Sequence, residues 1–547
     1  MRICPETAAH PAPVGDNTDG IIISAVPAGE EMESGHEEHP QASSGLPRRA
    51  VLGAAAGVAV AATGAAAGCS LFRSTPPRDD VDRLFGELDD KIEKEMQAHA
   101  IPGAAVGVWY KGREHVRGFG VTNVDNPEPV DGDTLFRIAS TTKPFTGTAV
   151  MRLVDAGKLD LDATVRTYLP DFAVADPTVS AGVTLRELLN HASGWLGDYF
   201  QDFGRGEDAL TRFVAGMARL PQLSSRGGLF AYNNSAIDVA GRVLEKVTGS
   251  TYEQAIENLL LDPLELHRTR FFTDELVGYR FAAPHKMVNG QAAFDPSMWY
   301  LPRSGDPDGG LISSARDQLT FARFHLGDGS APNGTRILSP GMLREMRVVS
   351  GPGGTLAVEL NGMGVTWALR PTDQRVPVVQ HGGDVPGQHS GFFVVPDRDV
   401  AFTVLTNSES GTRLTSALCV DDWVLKRFAG ISNLPATPRT LSASQLAPYE
   451  GRYVAQVIEG DGTLRDFHTR LTADKGRLRY RVLSPQDQPI DPGPGDTDAL
   501  AFYRDDYVLT LDVDGTPRGS RADFIRGSTG QVVWFRLGGR LNRKLIA

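Results

Sequence analysis

Cysteine is scarce: Cys4, Cys69 and Cys419 are the only three in 547 residues. So few, spaced so widely, exclude a disulfide-stapled scaffold. No Cys-x-x-Cys and no His-Glu-x-x-His occurs, and His36-Glu37-Glu38-His39 has the wrong order for a helical zinc pair. No metal and no cofactor is expected. Basic charge is also in deficit, with 55 Lys and Arg against 67 Asp and Glu, a net charge of −12. That leaves no electrostatic footprint for nucleic acid; a neutral or zwitterionic small molecule or peptide remains open as substrate. Long apolar runs are missing apart from the uncharged stretch 50–68, which Ala and Gly make only weakly hydrophobic.

What is present suits a globular chain of two or three domains. Hydrophobic residues at 41% are enough to build a large core. Residues 1–45 are rich in Ala, Pro, Gly, Glu and His and read as a disordered leader. A start at Met32 would give the segment that follows a more usual signal length. Residues 46–69 carry Arg48-Arg49, the uncharged stretch and Ala66-Ala67-Gly68-Cys69. They look like a twin-arginine export signal with a lipoprotein-type cleavage site before Cys69. Val51 and Ala66 depart from the usual Phe and Leu. The expectation is an exported protein, secreted or held in the cell envelope by a lipid on Cys69, with no other membrane contact.

Residues 70–79 read as a tether. Val81, Leu84, Phe85, Leu88, Ile92 and Met96 then recur at helical spacing over 80–98. Alternating segments at 104–110 and 114–120 predict a hairpin, and further strands are expected near 364–369, 376–381, 391–395 and 400–406. Strands at both ends with helices between them predict an α/β sandwich over 80–429, an antiparallel sheet flanked by helices plus a helical subdomain. Pro435, Pro438 and Pro448 mark 430–448 as a linker. Short alternating segments over 449–547, separated by turns such as Asp461-Gly462 and Asp514-Gly515, predict an all-β barrel or sandwich.

The most informative stretch is Ser140-Thr141-Thr142-Lys143. Ser-x-x-Lys at a helix start sets hydroxyl and amine one turn apart on one face. A serine hydroxyl needs a neighbour to take its proton before it becomes a nucleophile. Pro144 is compatible, because its missing N–H falls in the first turn. Tyr232-Asn233-Asn234 and His381-Gly382-Gly383 follow in order. A tyrosine can share the proton transfer with the lysine, and glycines beside a histidine on a strand let backbone approach a ligand.

Together these three elements resemble the Ser-x-x-Lys, Tyr-x-Asn and His/Lys-x-Gly triplet of the class C β-lactamase and DD-peptidase superfamily of serine hydrolases. The segments 188–194, 262–264, 309–317 and 404–408 match it as well. The resemblance implies a β-lactamase-like fold over about 80–430, and the C-terminal part looks like the lipocalin-like domain of several members. It implies Ser140 as nucleophile, Lys143 or Tyr232 as base, Asn234 supporting Lys143 and the substrate amide, Gly383 letting backbone approach the substrate, and the Asp384 N–H joining that of Ser140 as the oxyanion hole. His381 stands where class C enzymes have lysine; it can bond to Tyr232 or relay a proton near neutral pH. His191 reads as structural. For each of Trp195, Tyr199, Phe200, Phe203, Trp299 and Tyr300, core packing is as good a reading as lining the cleft. The favoured activity is a peptidase on D-amino-acid-containing peptides, of DD-carboxypeptidase or D-aminopeptidase type. The alternatives are an esterase or β-lactamase, a stand-alone nonribosomal peptide cyclase, and a non-catalytic penicillin-binding sensor.

Overall fold

The computed structural model describes residues 78–490 and 497–546. The leader, the signal, Cys69 and all but the end of the expected tether lie outside them. The first helix, Arg78–Ala98, buries Val81, Phe85, Leu88, Ile92 and Met96, the residues its spacing selects. They pack on one face of a seven-stranded antiparallel sheet. In spatial order its strands are Arg113–Gly120, Gly103–Tyr110, Val400–Thr406, Gln388–Val395, Val378–Val385, Ala368–Arg370 and Gly362–Met363.

Side chains alternate across a strand, and this sheet uses both faces. Ala104, Val106, Val108, Phe393 and Phe402 meet the terminal helix, while Ala105, Phe392, Val394 and Ala401 meet a larger helical layer. Strands buried on both sides are apolar almost throughout, as Gly103–Tyr110 is. The second layer includes the helices Thr142–Asp155, Asn234–Thr248 and Ala315–Leu326. The first two meet the catalytic candidates at their N-termini.

The C-terminal part is a closed barrel of eight antiparallel strands in sequential order, from Gly451–Ile458 to Arg540–Lys544. Closure removes exposed sheet edges. Its interior is filled by Tyr453, Phe502, Phe524 and Phe535, among others. The linker expectation needs a correction at its end. Ser442 and Gln445 form a capping box on the short helix Ala443–Leu446, and Leu446 and Tyr449 pack into the barrel core. Packed structure therefore begins inside 430–448, because a Pro-rich composition does not reveal where a helix cap can form.

The barrel docks on the first domain through main-chain and charged contacts. Phe200 donates its N–H to Ile458 O at 2.7 Å, and Tyr232 donates to Gly539 O at 2.9 Å. Glu359 accepts from Arg521, Arg504 and Tyr503. Arg536 pairs with Asp523 (2.7 and 2.9 Å) and also donates to Phe230 O, while Asp523 accepts from Thr355 Oγ1 at 2.5 Å. Both partners of that pair are almost fully buried. Removing one member of a buried pair strands the other's charge, typically at about 3–5 kcal/mol. Asp523→Ala should therefore lower unfolding free energy by about 3 kcal/mol or more in chemical denaturation. A loss below about 1 kcal/mol, the worth of an exposed pair, would contradict the role assigned to this buried pair.

Candidate active site

The approach to Ser140 is strained. Ala139 is buried with φ at +49°, a left-handed conformation rare for a residue with a Cβ. Its neighbours hold it there. Ile138 N–H donates to Leu311 O at 3.0 Å, Ser390 Oγ donates to Ile138 O at 2.8 Å, and Thr141 N–H donates to the same oxygen at 3.1 Å. The chain then enters a 3₁₀ turn, Ala139–Thr141, and the helix Thr142–Asp155. Lys143 lies in that helix's first turn, and its Nζ donates to Ser140 Oγ at 2.9 Å. The one-turn geometry expected of Ser-x-x-Lys is realised.

Lys143 has no exposed surface. Its ammonium also donates to Asp308 O at 2.8 Å and approaches Asp308 Oδ2 at 3.4 Å. Burial by itself would lower its pKa, but Tyr232 and Asp308 outweigh burial and hold the ammonium above its ordinary value. Asp238, deeper in the same pocket, is pushed well above the carboxylate range by burial and then by the charge of Asp308.

Tyr232 immediately precedes the helix Asn234–Thr248, which Asn233 caps by accepting from Ala236 N–H at 2.8 Å. The His191 ring stacks on Tyr232 with centroids 4.5 Å apart, and His191 Nδ1 accepts from Asn233 N–H at 3.0 Å. His191 is thus a shelf behind the tyrosine, a structural role as the sequence suggested. Asn234 does not reach Lys143. Its Nδ2 donates to Asp198 Oδ1 at 2.9 Å and its Oδ1 has no protein partner. The contacts to Lys143 come from Ser140 and Asp308 instead, while Asn234, with its Oδ1 unpaired, lines the cleft.

His381 stands inside the strand Val378–Val385, not at its end. Its Nδ1 contacts the Gly382 carbonyl at 2.7 Å and its Nε2 is buried without a partner. Burial, then the charge of Lys143, pulls the imidazole down to about 3. That direction works against a proton relay near neutral pH, and no hydrogen bond joins it to Tyr232, whose ring centroid is 6.2 Å away. Gly383 shows why glycine stands there. A Cβ on it would lie 2.1 Å from Ile138 O and 2.9 Å from Ser140 N. Strand and nucleophile turn are thus in close contact, and the backbone around Gly383 and Asp384 borders the serine.

The barrel brings a residue that belongs to none of the three motifs. Arg540, which opens the last strand, pairs with Asp198 at 3.0 Å and lies over the Tyr232 ring, 4.7 Å from its centroid. Lys143 Nζ is 5.0 Å from the same centroid. Tyr232 therefore has two cations within 5.0 Å of its ring centre, one from each domain. Only the turn Gly538-Gly539 before a charged strand start marked this position in sequence, and nothing linked it to Tyr232. The cleft, about 1060 Å³, is lined by Ser140, Tyr232, Asn234, Asp384, Arg540 and Tyr300, with further walls from both domains. Tyr199 and Phe200 also face it, whereas Trp195 is core, donating to Ser235 Oγ at 3.1 Å.

A sequence profile described as Beta-lactamase matches residues 88–417. The chain belongs to the beta-lactamase family. Penicillin-binding protein 4 of Amycolatopsis lactamdurans is 37% identical over 368 residues, 65% of this chain and 95% of that one. Esterase EstB of Burkholderia gladioli is 32% identical over 38% of this chain and 56% of its own. Among solved structures, that of SurE is 25% identical, covers 85% of this chain and 100% of its own, and superposes with a TM-score of 0.65. A beta-lactamase-fold serine hydrolase accounts for the fold and for the serine, lysine and tyrosine brought together here.

Gly383→Ala should lower the rate of Ser140 acylation by about 100-fold, since displacing reacting groups by about 1 Å costs that much. Gly382→Ala, whose Cβ would meet only Ser390 O at 3.2 Å, should stay within about threefold. Equal effects, read by labelling with a serine-directed fluorophosphonate, would contradict the contact assigned to Gly383.

Proposed function

We propose that this chain hydrolyses peptides ending in a D-amino acid with a free carboxylate, through an acyl-enzyme on Ser140. Ser140 Oγ attacks the amide carbonyl, its proton passes to the Lys143/Tyr232 pair, and the same pair returns a proton to the leaving amine. Ser140 N–H and the Asp384 backbone are the candidate donors for the oxyanion. Water then releases the acyl group.

The observation that carries the carboxylate preference is the pairing of a neutral His381 with a cationic Arg540. The third motif brings no charge to the cleft, whereas the barrel brings a guanidinium beside Tyr232. Arg540 spends Nε and Nη2 on Asp198 (3.0 and 3.3 Å), so what it offers a substrate carboxylate is its charge and its remaining N–H groups. A relative named as a penicillin-binding protein, and a structural neighbour solved with D-Leu at TM-score 0.63, favour the D-series. The cleft has room for an extended peptide, so capture of the acyl group by an amine within the substrate stands as a second reading. Export and lipidation at Cys69 belong to the same proposal and rest on residues 46–69 alone.

The test is amine release from matched peptides with D- or L-residues at the carboxyl end, followed by mass spectrometry with Ser140→Ala as control. Serine-dependent cleavage confined to the D-series is expected, and a product lighter by water would move the amine-capture reading to the front. No cleavage of either series would overturn the peptidase reading.

A further inference from the structure

One stretch of the cleft wall is apolar, although Asp202, Asp308, Asp384, Tyr300 and Arg540 make much of the remaining lining polar. Tyr232, Val358 and Ala368 belong to a single apolar cluster, with Leu356 and Val420 packed half-buried against it. All five line the cleft.

A short hairpin supplies two of them. Its strands Gly354–Leu356 and Val358–Leu360 set Thr355 opposite Glu359 and Leu356 opposite Val358, and the turn residue Ala357 has φ at +54°. Side chains alternate across a strand, so the two pairs face opposite ways. Thr355 Oγ1 donates to Asp523 Oδ1 at 2.5 Å, and Glu359 accepts from Tyr503 Oη at 2.8 Å and from Arg521. Arg521 N–H also donates to Ala357 O at 2.9 Å. The barrel thus holds the polar face of the hairpin, and Leu356 and Val358 are left to the cleft.

Gly539 fixes where this wall stands relative to the reaction centre. A Cβ on it would lie 2.9 Å from Tyr232 Cβ and 3.0 Å from Leu356 Cδ1. Leu356 and Tyr232 therefore meet at the residue directly before Arg540, and the guanidinium and the apolar wall are neighbours. Ligand sites commonly combine an apolar lining with a few charged or polar groups that set orientation.

We propose that Leu356, Val358, Ala368 and Val420 form the subsite for the side chain of the substrate's carboxyl-terminal residue, a bulky aliphatic or aromatic one. A residue whose carboxylate lies toward Arg540 brings its own side chain against this wall. An apolar side chain then leaves water together with the surface it covers. A polar one would give up its hydration without gaining a hydrogen bond. Leu356 is the specificity-determining residue, because it is half-buried on the cleft and borders both Tyr232 and the approach to Arg540. The inference rests on the reading of this chain as a peptidase that takes a carboxyl-terminal D-residue.

The test is kcat/KM of the full chain for matched peptides that differ only in the terminal residue: D-Leu, D-Phe, D-Ala or D-Asn. Asparagine is close to leucine in size but polar, so that comparison isolates polarity. D-Leu should exceed D-Ala by about 10-fold or more and D-Asn by about 100-fold. Leu356→Asn should cut the ratio of D-Leu to D-Asn by about 10-fold, and Leu356→Ala should raise the ratio of D-Phe to D-Leu by about threefold or more. Ratios taken within one preparation do not depend on how much of it is folded. Should Leu356→Asn not fold at all, Leu356→Ala decides the role of Leu356. Equal values for D-Leu and D-Asn in the wild type would overturn the subsite, and unchanged ratios in the variants would overturn the assignment of Leu356. Cleavage of none of the four peptides is a different failure, that of the peptidase reading, and the inference falls with it.

Discussion

An ammonium with no access to water organises this site. Taking a lysine charge out of solvent costs several kcal/mol even after relaxation, and Lys143 is completely buried. The structure meets that cost with short contacts: the serine hydroxyl at 2.9 Å, the Asp308 carbonyl at 2.8 Å, and the carboxylate of the same residue. Each contact also fixes a neighbour. The serine is aimed by the lysine that approaches it, and the turn Asp306–Gly309 is tied to the helix Thr142–Asp155. The same charge helps to keep His381 neutral.

The second constraint comes from the other domain. Tyr232 donates its N–H to Gly539, and its ring is covered by Arg540, so barrel and hydrolase domain share a single aromatic residue at the reaction centre. Arg540 would itself be a costly charge to bury, and Asp198 offsets that cost from the hydrolase side. The Arg521–Glu359 pair crosses the interface, and the pair Arg536–Asp523 inside the barrel reaches across it to Phe230 O and Thr355 Oγ1. Through these contacts the barrel forms part of the wall of the active cleft.

Much of the first domain was legible because its signals are local. The terminal helix follows from apolar spacing, the strands from alternation, and the serine and lysine from a motif whose geometry is one helical turn. Tyr232 and His381 were legible as candidates, but their chemistry was not. Whether an imidazole titrates near neutral pH depends on burial and neighbouring charge, and His381 has both against it. Asp308 lies directly before Gly309-Gly310-Leu311, a segment already singled out, yet only the fold shows its carboxylate turned toward Lys143. Arg540 was the least legible, since its partners Asp198 and Tyr232 belong to another domain and no short-range pattern couples them. The early start of the barrel core at Leu446 was hidden by prolines on either side of a short capped helix.

The central claim is that two domains make one catalytic centre, and Arg540 tests it most directly. The measurement is the rate of Ser140 labelling by a fluorophosphonate in Arg540→Gln, with circular dichroism confirming a folded chain. A preorganised charge beside the reacting groups is worth about 10²-fold or more, so the account predicts a fall of about 10- to 100-fold. A rate within about threefold of the wild type would mean that the hydrolase domain assembles its site alone and that the barrel is only its neighbour.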